Sequence, residues 1–155
     1  MNAANRTLAA LTATAMVGLA VGASLQRHRV RGESMKPTLL PGETVVSVAA
    51  NRPLGILRRP RVGDIAIIRL PWEHDLIGIK RLVAGPGTAW GGGGDAVAAG
   101  PGWVAVGDHP VLSTDSRHHG RVPSESIVGI VVARVSDDDG VSRPARDPRL
   151  DQPAV

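Results

Sequence analysis

The chain has 155 residues, 43% of them apolar, with no phenylalanine, no tyrosine and a net charge of +4. That length fits one compact domain with a short appendage, whose core must be built from Val, Ile, Leu and Ala. The lack of cysteine excludes disulfides, thiolate catalysis and cysteine-held zinc, but leaves the compartment open.

Residues 8–25 carry no charge. As a helix they would span about 27 Å at about 1.5 Å per residue, close to the thickness of a bilayer core. Two readings stand: a cleaved signal peptide or an uncleaved single anchor. Arg6 alone precedes the run and no clear Ala-x-Ala step closes it, which favours the anchor. Arg27, Arg29 and Arg31 follow it, and the positive-inside rule would keep what comes next in the cytoplasm.

From Gly32 onward the pattern is strands and turns. Residues 43–50 read as a strand after the Pro41-Gly42 turn. Residues 64–70 form a second, entered through Val62-Gly63 and stopped by Pro71. Residues 77–84 are a third, closed by Gly85-Pro86-Gly87; residues 103–106 are a short fourth; residues 127–135 are a long β-branched fifth. Short strands with Gly/Pro punctuation predict a mostly β fold, an antiparallel sheet or barrel-like architecture. Gly91 to Gly94 read as a flexible loop rather than a phosphate cradle, because no Lys-Ser/Thr follows. Arg52, Arg58, Arg59 and Arg61 cluster between strands with no aromatic residue among them, so they read as a solvated loop or lipid-headgroup contact, not as a nucleic-acid site. The expected organisation is an anchor with its flanks over 1–31, a β domain over 32–135, and a disordered tail over 136–155, rich in Asp, Pro and Arg.

Only two lysines stand against sixteen arginines, and Lys80 sits inside the third strand. With period two it shares a face with Gly78, Leu82 and Ala84. Desolvation there would lower its pKa and suit a neutral base, a role that arginine cannot fill. The alternative is an edge lysine reaching back to water. Ser34 lies in the Gly- and Pro-framed segment 32–39. There it is either an exposed nucleophile beside backbone amides or the cap of a short helical turn. Lys36, next to Pro37 in a polar turn, is a poor candidate for desolvation. Segment 107–120 gathers Asp108, His109, Ser113, Asp115, Ser116, Arg117, His118 and His119. A triad of Ser116, His118 and Asp115, a metal site of Asp108 with the histidines, and a loop braced by an Asp115–Arg117 pair are all conceivable; no established ligand spacing is present.

Taken together these segments resemble the type I signal peptidases, membrane-anchored Ser/Lys proteases. Gly32-Glu33-Ser34-Met35-Lys36-Pro37 is similar to the family's nucleophile box. Arg61-Val62-Gly63-Asp64-Ile65 is similar to its strand box, Ile79-Lys80-Arg81-Leu82-Val83 to its base box, and Gly107-Asp108-His109 with Ser113–Gly120 to its last box. The resemblance implies a mostly antiparallel β fold behind one N-terminal transmembrane helix. It implies Ser34 as nucleophile, with its backbone amide as oxyanion donor, and Lys80 as general base. Ser113 would orient the lysine, and Asp115 and Arg117 would form a supporting ion pair, with Ser116 in the same loop. No metal or organic cofactor is implied. Substrates would be preproteins with small residues at the first and third positions before the cut, met at a lipid bilayer by a domain on the outer face of the membrane.

Four departures stand out. The turn after the base strand, Gly85-Pro86-Gly87-Thr88, lacks the family's frequent acidic residue. Gly32 occupies a position where some members carry a serine as second oxyanion donor. His109 stands where asparagine is common. The connection from the base strand to the last box is short, so a second β domain is reduced or missing. The small form also resembles dedicated maturases, such as those that trim nickel superoxide dismutase precursors. A non-catalytic, membrane-anchored β module that binds peptide or lipid is the remaining alternative; a self-cleaving repressor would need a DNA-binding domain that residues 1–31 cannot form.

Overall fold

A computed structural model of the protein describes residues 12–16, 18, 22, 24–51, 58–74, 76–92, 95–136 and 140–145. Among these, strands β1 (Leu25–Arg29), β2 (Thr44–Ala49), β3 (Ile65–Leu70), β4 (Leu76–Ala84), β7 (Val104–Val106), β8 (Ile127–Ser136) and β9 (Gly140–Ser142) form one sheet. Its order is β1-β2-β8-β3-β4-β7, with β9 on the far half of β8, and every pairing is antiparallel. The short strands β5 (Ala89–Trp90) and β6 (Val97–Ala98) make a separate two-stranded sheet.

The strands read from the sequence are all present within a residue or two at each end. Four short strands went unread. β1 and β9 are only five and three residues long and carry little apolar alternation. They join as additions to strands already in register: Leu25 pairs with Val48, and Val141 with Val135. The sheet therefore runs past both ends of the 32–135 span, and part of the segment read as an unstructured tail pairs with β8. The glycine-rich stretch lies within the β5–β6 connection, and that hairpin is the extra sheet between β4 and β7.

The expectation of a transmembrane helix falls largely on residues outside the description. Among the described residues no helix is long and apolar enough to cross a membrane. The read span also overran, because its last residue, Leu25, opens β1.

β3 shows why the sheet is stable. Ile65, Ala66, Ile67 and Ile68 are all buried, so both faces of the strand are covered. One face packs Ala66, Ile68, Leu82, Ala105 and Ile130 against Trp103 and Val122. The other packs Ile65, Ile67, Val45 and Val131 under Val30, Met35 and Leu39. Met35 and Leu39 belong to the segment that carries Ser34. Burying each contributes about 2 kcal/mol, so the segment is clamped to the sheet by its own apolar side chains. A third cluster, Val83, Ala84, Ala99, Val104 and Val106, lies beneath Trp90 and Val97 of the hairpin.

Candidate active site

β4 changes character along its length. Leu76 and Ile77 are exposed, whereas Lys80 to Ala84 are buried. β7 pairs only with residues 81–84, so on that side the first half of β4 has no strand neighbour. A cleft of about 500 Å³ opens there. Its walls include Ser34 and Gly32 from the β1–β2 connection, Gly78 and Lys80 from β4, Glu73 from the β3–β4 turn and Leu112 from the loop after β7.

Lys80 is 5% exposed. Its Nζ donates to Ser113 Oγ at 2.9 Å, and Ser113 Oγ donates to Asp115 Oδ2 at 2.6 Å. Asp115 is fully buried. It also accepts from the Gly107 amide (2.8 Å) and from Arg117 Nε (2.9 Å) and Nη2 (2.5 Å). Burial lowers the Lys80 pKa; Asp115 and Glu73 pull it back up and Arg117 pushes it further down, leaving it below that of an ordinary lysine. For Asp115, burial favours the neutral acid, but bonds from Arg117, Ser113 and two backbone amides outweigh it and hold the carboxyl below its usual range. The polarity of the chain follows. Asp115 is acceptor-only, so it takes the Ser113 hydroxyl hydrogen; Ser113 then offers Lys80 a lone pair, and Lys80 must donate. A neutral Nζ anchored in this way keeps its own lone pair for another partner.

Ser34 lies half-buried in the turn after β1. Its carbonyl accepts from the His109 amide at 2.9 Å. Among the described residues its own amide and hydroxyl make no hydrogen bond. Gly107 makes the close approach possible. A Cβ there would come within 2.5 Å of the Ser34 carbonyl oxygen, and closer still to Ser113 Oγ. The two halves of the site therefore meet across a residue that has no room for a side chain.

The remaining residues of the last segment are sorted by the fold. Ser116 is buried, with its Oγ accepting from the Ala105 amide at 3.0 Å, so it braces β7 and does not face Lys80. Asp115 caps the helical turn Ser116–His119, with the His118 side chain closing the capping box. His118 stays largely exposed, and His119 stacks on Trp72 with ring centroids 4.9 Å apart. Ser116, His118 and Asp115 are thus occupied as a capped turn rather than aligned as a triad.

One network escaped the sequence reading. Arg81 is 1% exposed and points to the opposite face from Lys80. Its guanidinium grips Asp108 through both carboxylate oxygens, Nε at 2.9 Å and Nη2 at 2.7 Å. Thr38 Oγ1, from the Ser34 segment, donates to the same carboxylate at 2.6 Å. Arg81 also donates to the carbonyls of Gly63 and Ala145. An arginine on the apolar face of Ile77, Ile79 and Val83 was the available signal: it demands a buried acid, and Asp108 is the one the fold supplies.

The sequence matches the model of the signal peptidase family, peptidase S26, over residues 3–98. The chain belongs to that family. As a signal peptidase family member it is a serine peptidase by descent, and the matched stretch includes both Ser34 and Lys80. The Ser113–Arg117 segment lies beyond the match. A comparison with curated proteins found no match.

Proposed function

We propose that this protein is a serine endopeptidase that removes N-terminal signal or pro-segments from preproteins through a Ser34/Lys80 dyad. The observation that carries the reading is the single cleft that holds Ser34 and a buried lysine anchored by Ser113. Neutral Lys80 takes the proton from Ser34 Oγ as that oxygen attacks the scissile carbonyl. The Ser34 amide donates to the oxyanion that develops. The Lys80 ammonium then gives its proton to the leaving amine, an acyl-enzyme on Ser34 remains, and Lys80 activates the water that hydrolyses it. Ser113, Asp115 and Arg117 hold Nζ in place throughout.

The strand-free edge of β4 suits a substrate backbone added as one more strand. Beside Ser34 a small recess of about 130 Å³ is lined by Val30, Met35, Ile77 and Ile79 together with Arg29 and Arg31. Its size supports small residues before the cut. The uncharged run before β1 supports a single-pass anchor at the bilayer. A domain on the outer face, where exported preproteins emerge, follows from the family resemblance and runs against the charge bias of Arg27, Arg29 and Arg31.

The test is cleavage of a membrane-presented preprotein carrying an Ala-x-Ala site. Wild type is expected to cleave it, with or without a chelator, while Ser34→Ala and Lys80→Arg at matched expression are not. Retained activity in Lys80→Arg would sink the dyad mechanism.

A further inference from the structure

The peptidase mechanism uses Ser34 and Lys80 but leaves a carboxylate on the same cleft, Glu73, without a role. Its backbone is fixed at both ends of a closed turn, with its amide donating to the Leu70 carbonyl and its own carbonyl accepting from the Leu76 amide. The preceding residue, Trp72, packs against the main core cluster and carries His119 on its other side. The backbone of the turn is therefore held in place. The other acid lining the cleft, Glu33, is already occupied by Lys36 at 2.7 Å. Among the described residues the Glu73 side chain makes no hydrogen bond or ion pair. Arg31 and the paired Glu33 line the wall that carries Gly32 and Ser34.

We propose that Glu73 is a specificity-determining residue that pairs with a basic side chain of the substrate close to the scissile bond. This inference rests on the peptidase reading and adds to it the charge the cleft prefers. A half-buried carboxylate on a backbone-anchored turn, beside the strand-free edge of β4, faces the side chain that a bound backbone projects toward the β3–β4 turn. A lysine or arginine there completes an ion pair, and an acid meets repulsion. Such a pair at a partly exposed site contributes about 1 kcal/mol, roughly fivefold in kcat/KM.

The experiment is a charge scan with the full-length protein. Starting from the Ala-x-Ala substrate, Lys or Glu replaces each residue in turn on both sides of the cut. kcat/KM is measured for wild type, Glu73→Gln and Glu73→Lys, and read as the Lys/Glu ratio at each position. Wild type is expected to favour Lys roughly fivefold or more at one position, Glu73→Gln to flatten that ratio, and Glu73→Lys to invert it. Reading a ratio within each variant removes any general loss of activity. Cleavage of the parent substrate with no charge preference, or with the same preference in all three proteins, overturns this inference and leaves the peptidase reading standing. Failure of wild type to cleave the parent substrate overturns both.

Discussion

Lys80 and Arg81 are neighbours on one strand, both buried, and the fold treats them in opposite ways. Arg81 receives the Asp108 carboxylate in bidentate contact, the Thr38 hydroxyl and two backbone carbonyls. Lys80 receives one hydroxyl, and the carboxylate behind it is reached only through that hydroxyl. Direct contact with an acid stabilises a cation, whereas burial with a neutral acceptor favours release of the proton. The side of the sheet that must remain charged is a staple between β4, the Ser34 segment and the last segment. The side that must lose a proton is the base. Two adjacent cations thus divide structure from chemistry by the partner each is given.

The comparison breaks first at Lys80. Lys80→Arg puts a permanent cation where a neutral base is needed; kcat should fall about 10²–10⁴-fold, measured on the preprotein substrate. Lys80→Met should lose as much activity yet fold at least as stably, because no ammonium has to be desolvated. Asp108→Ala is the converse. It strands the Arg81 guanidinium in the core and frees Thr38, so denaturant unfolding should show a loss of about 3–5 kcal/mol. Pairing Asp108→Leu with Arg81→Met should recover much of that stability, because no charge is then left unpaired. If Asp108→Ala were as stable as wild type, the staple would not exist.

The strands and the Lys80 half of this division were legible in the residues, the Arg81 half was not, and the limits were physical. The strands were found because β-branched runs and Gly/Pro breaks are local signals, as in residues 64–70 and 127–135. β1 and β9 were not, because their pairing depends on partners far along the chain. Lys80 was conspicuous as a lysine in an arginine-rich chain. Arg81 was passed over because alternation places it beside Ile79 and Val83 with no acid nearby in sequence; Asp108 arrives from 27 residues away. Ser116 was grouped with the site by proximity in sequence, and the capped turn directs it to the Ala105 amide instead. Glu73 gave no signal at all, since only the folded turn brings it onto the cleft.

Ser113→Ala sharpens the comparison at its hinge. Without the hydroxyl, Lys80 Nζ loses its anchor and Asp115 loses one donor, a cost of about 1–3 kcal/mol that should appear as a roughly tenfold to hundredfold fall in kcat with KM little changed. An unchanged kcat would mean that Lys80 is held by burial alone.

The smallest effect is the most diagnostic of charge. Activity requires neutral Lys80, so kcat/KM should fall about tenfold per unit as pH drops below the lysine's pKa in the protein. Burial sets that limb below the range of an ordinary lysine, and the charges of Asp115 and Glu73 raise it part of the way back. Between its pKa in the protein and its ordinary value, Lys80 binds fewer protons folded than unfolded, so folding stability should rise with pH across that window. Lys80→Met should remove this slope. Glu73→Gln deletes one attracting charge and should move the acid limb of kcat/KM to lower pH, less than neutralising Asp115 would. A limb that stayed where it is in Glu73→Gln would show that the carboxylate does not act on the base. It would then leave Lys80 governed by the Ser113–Asp115–Arg117 chain alone.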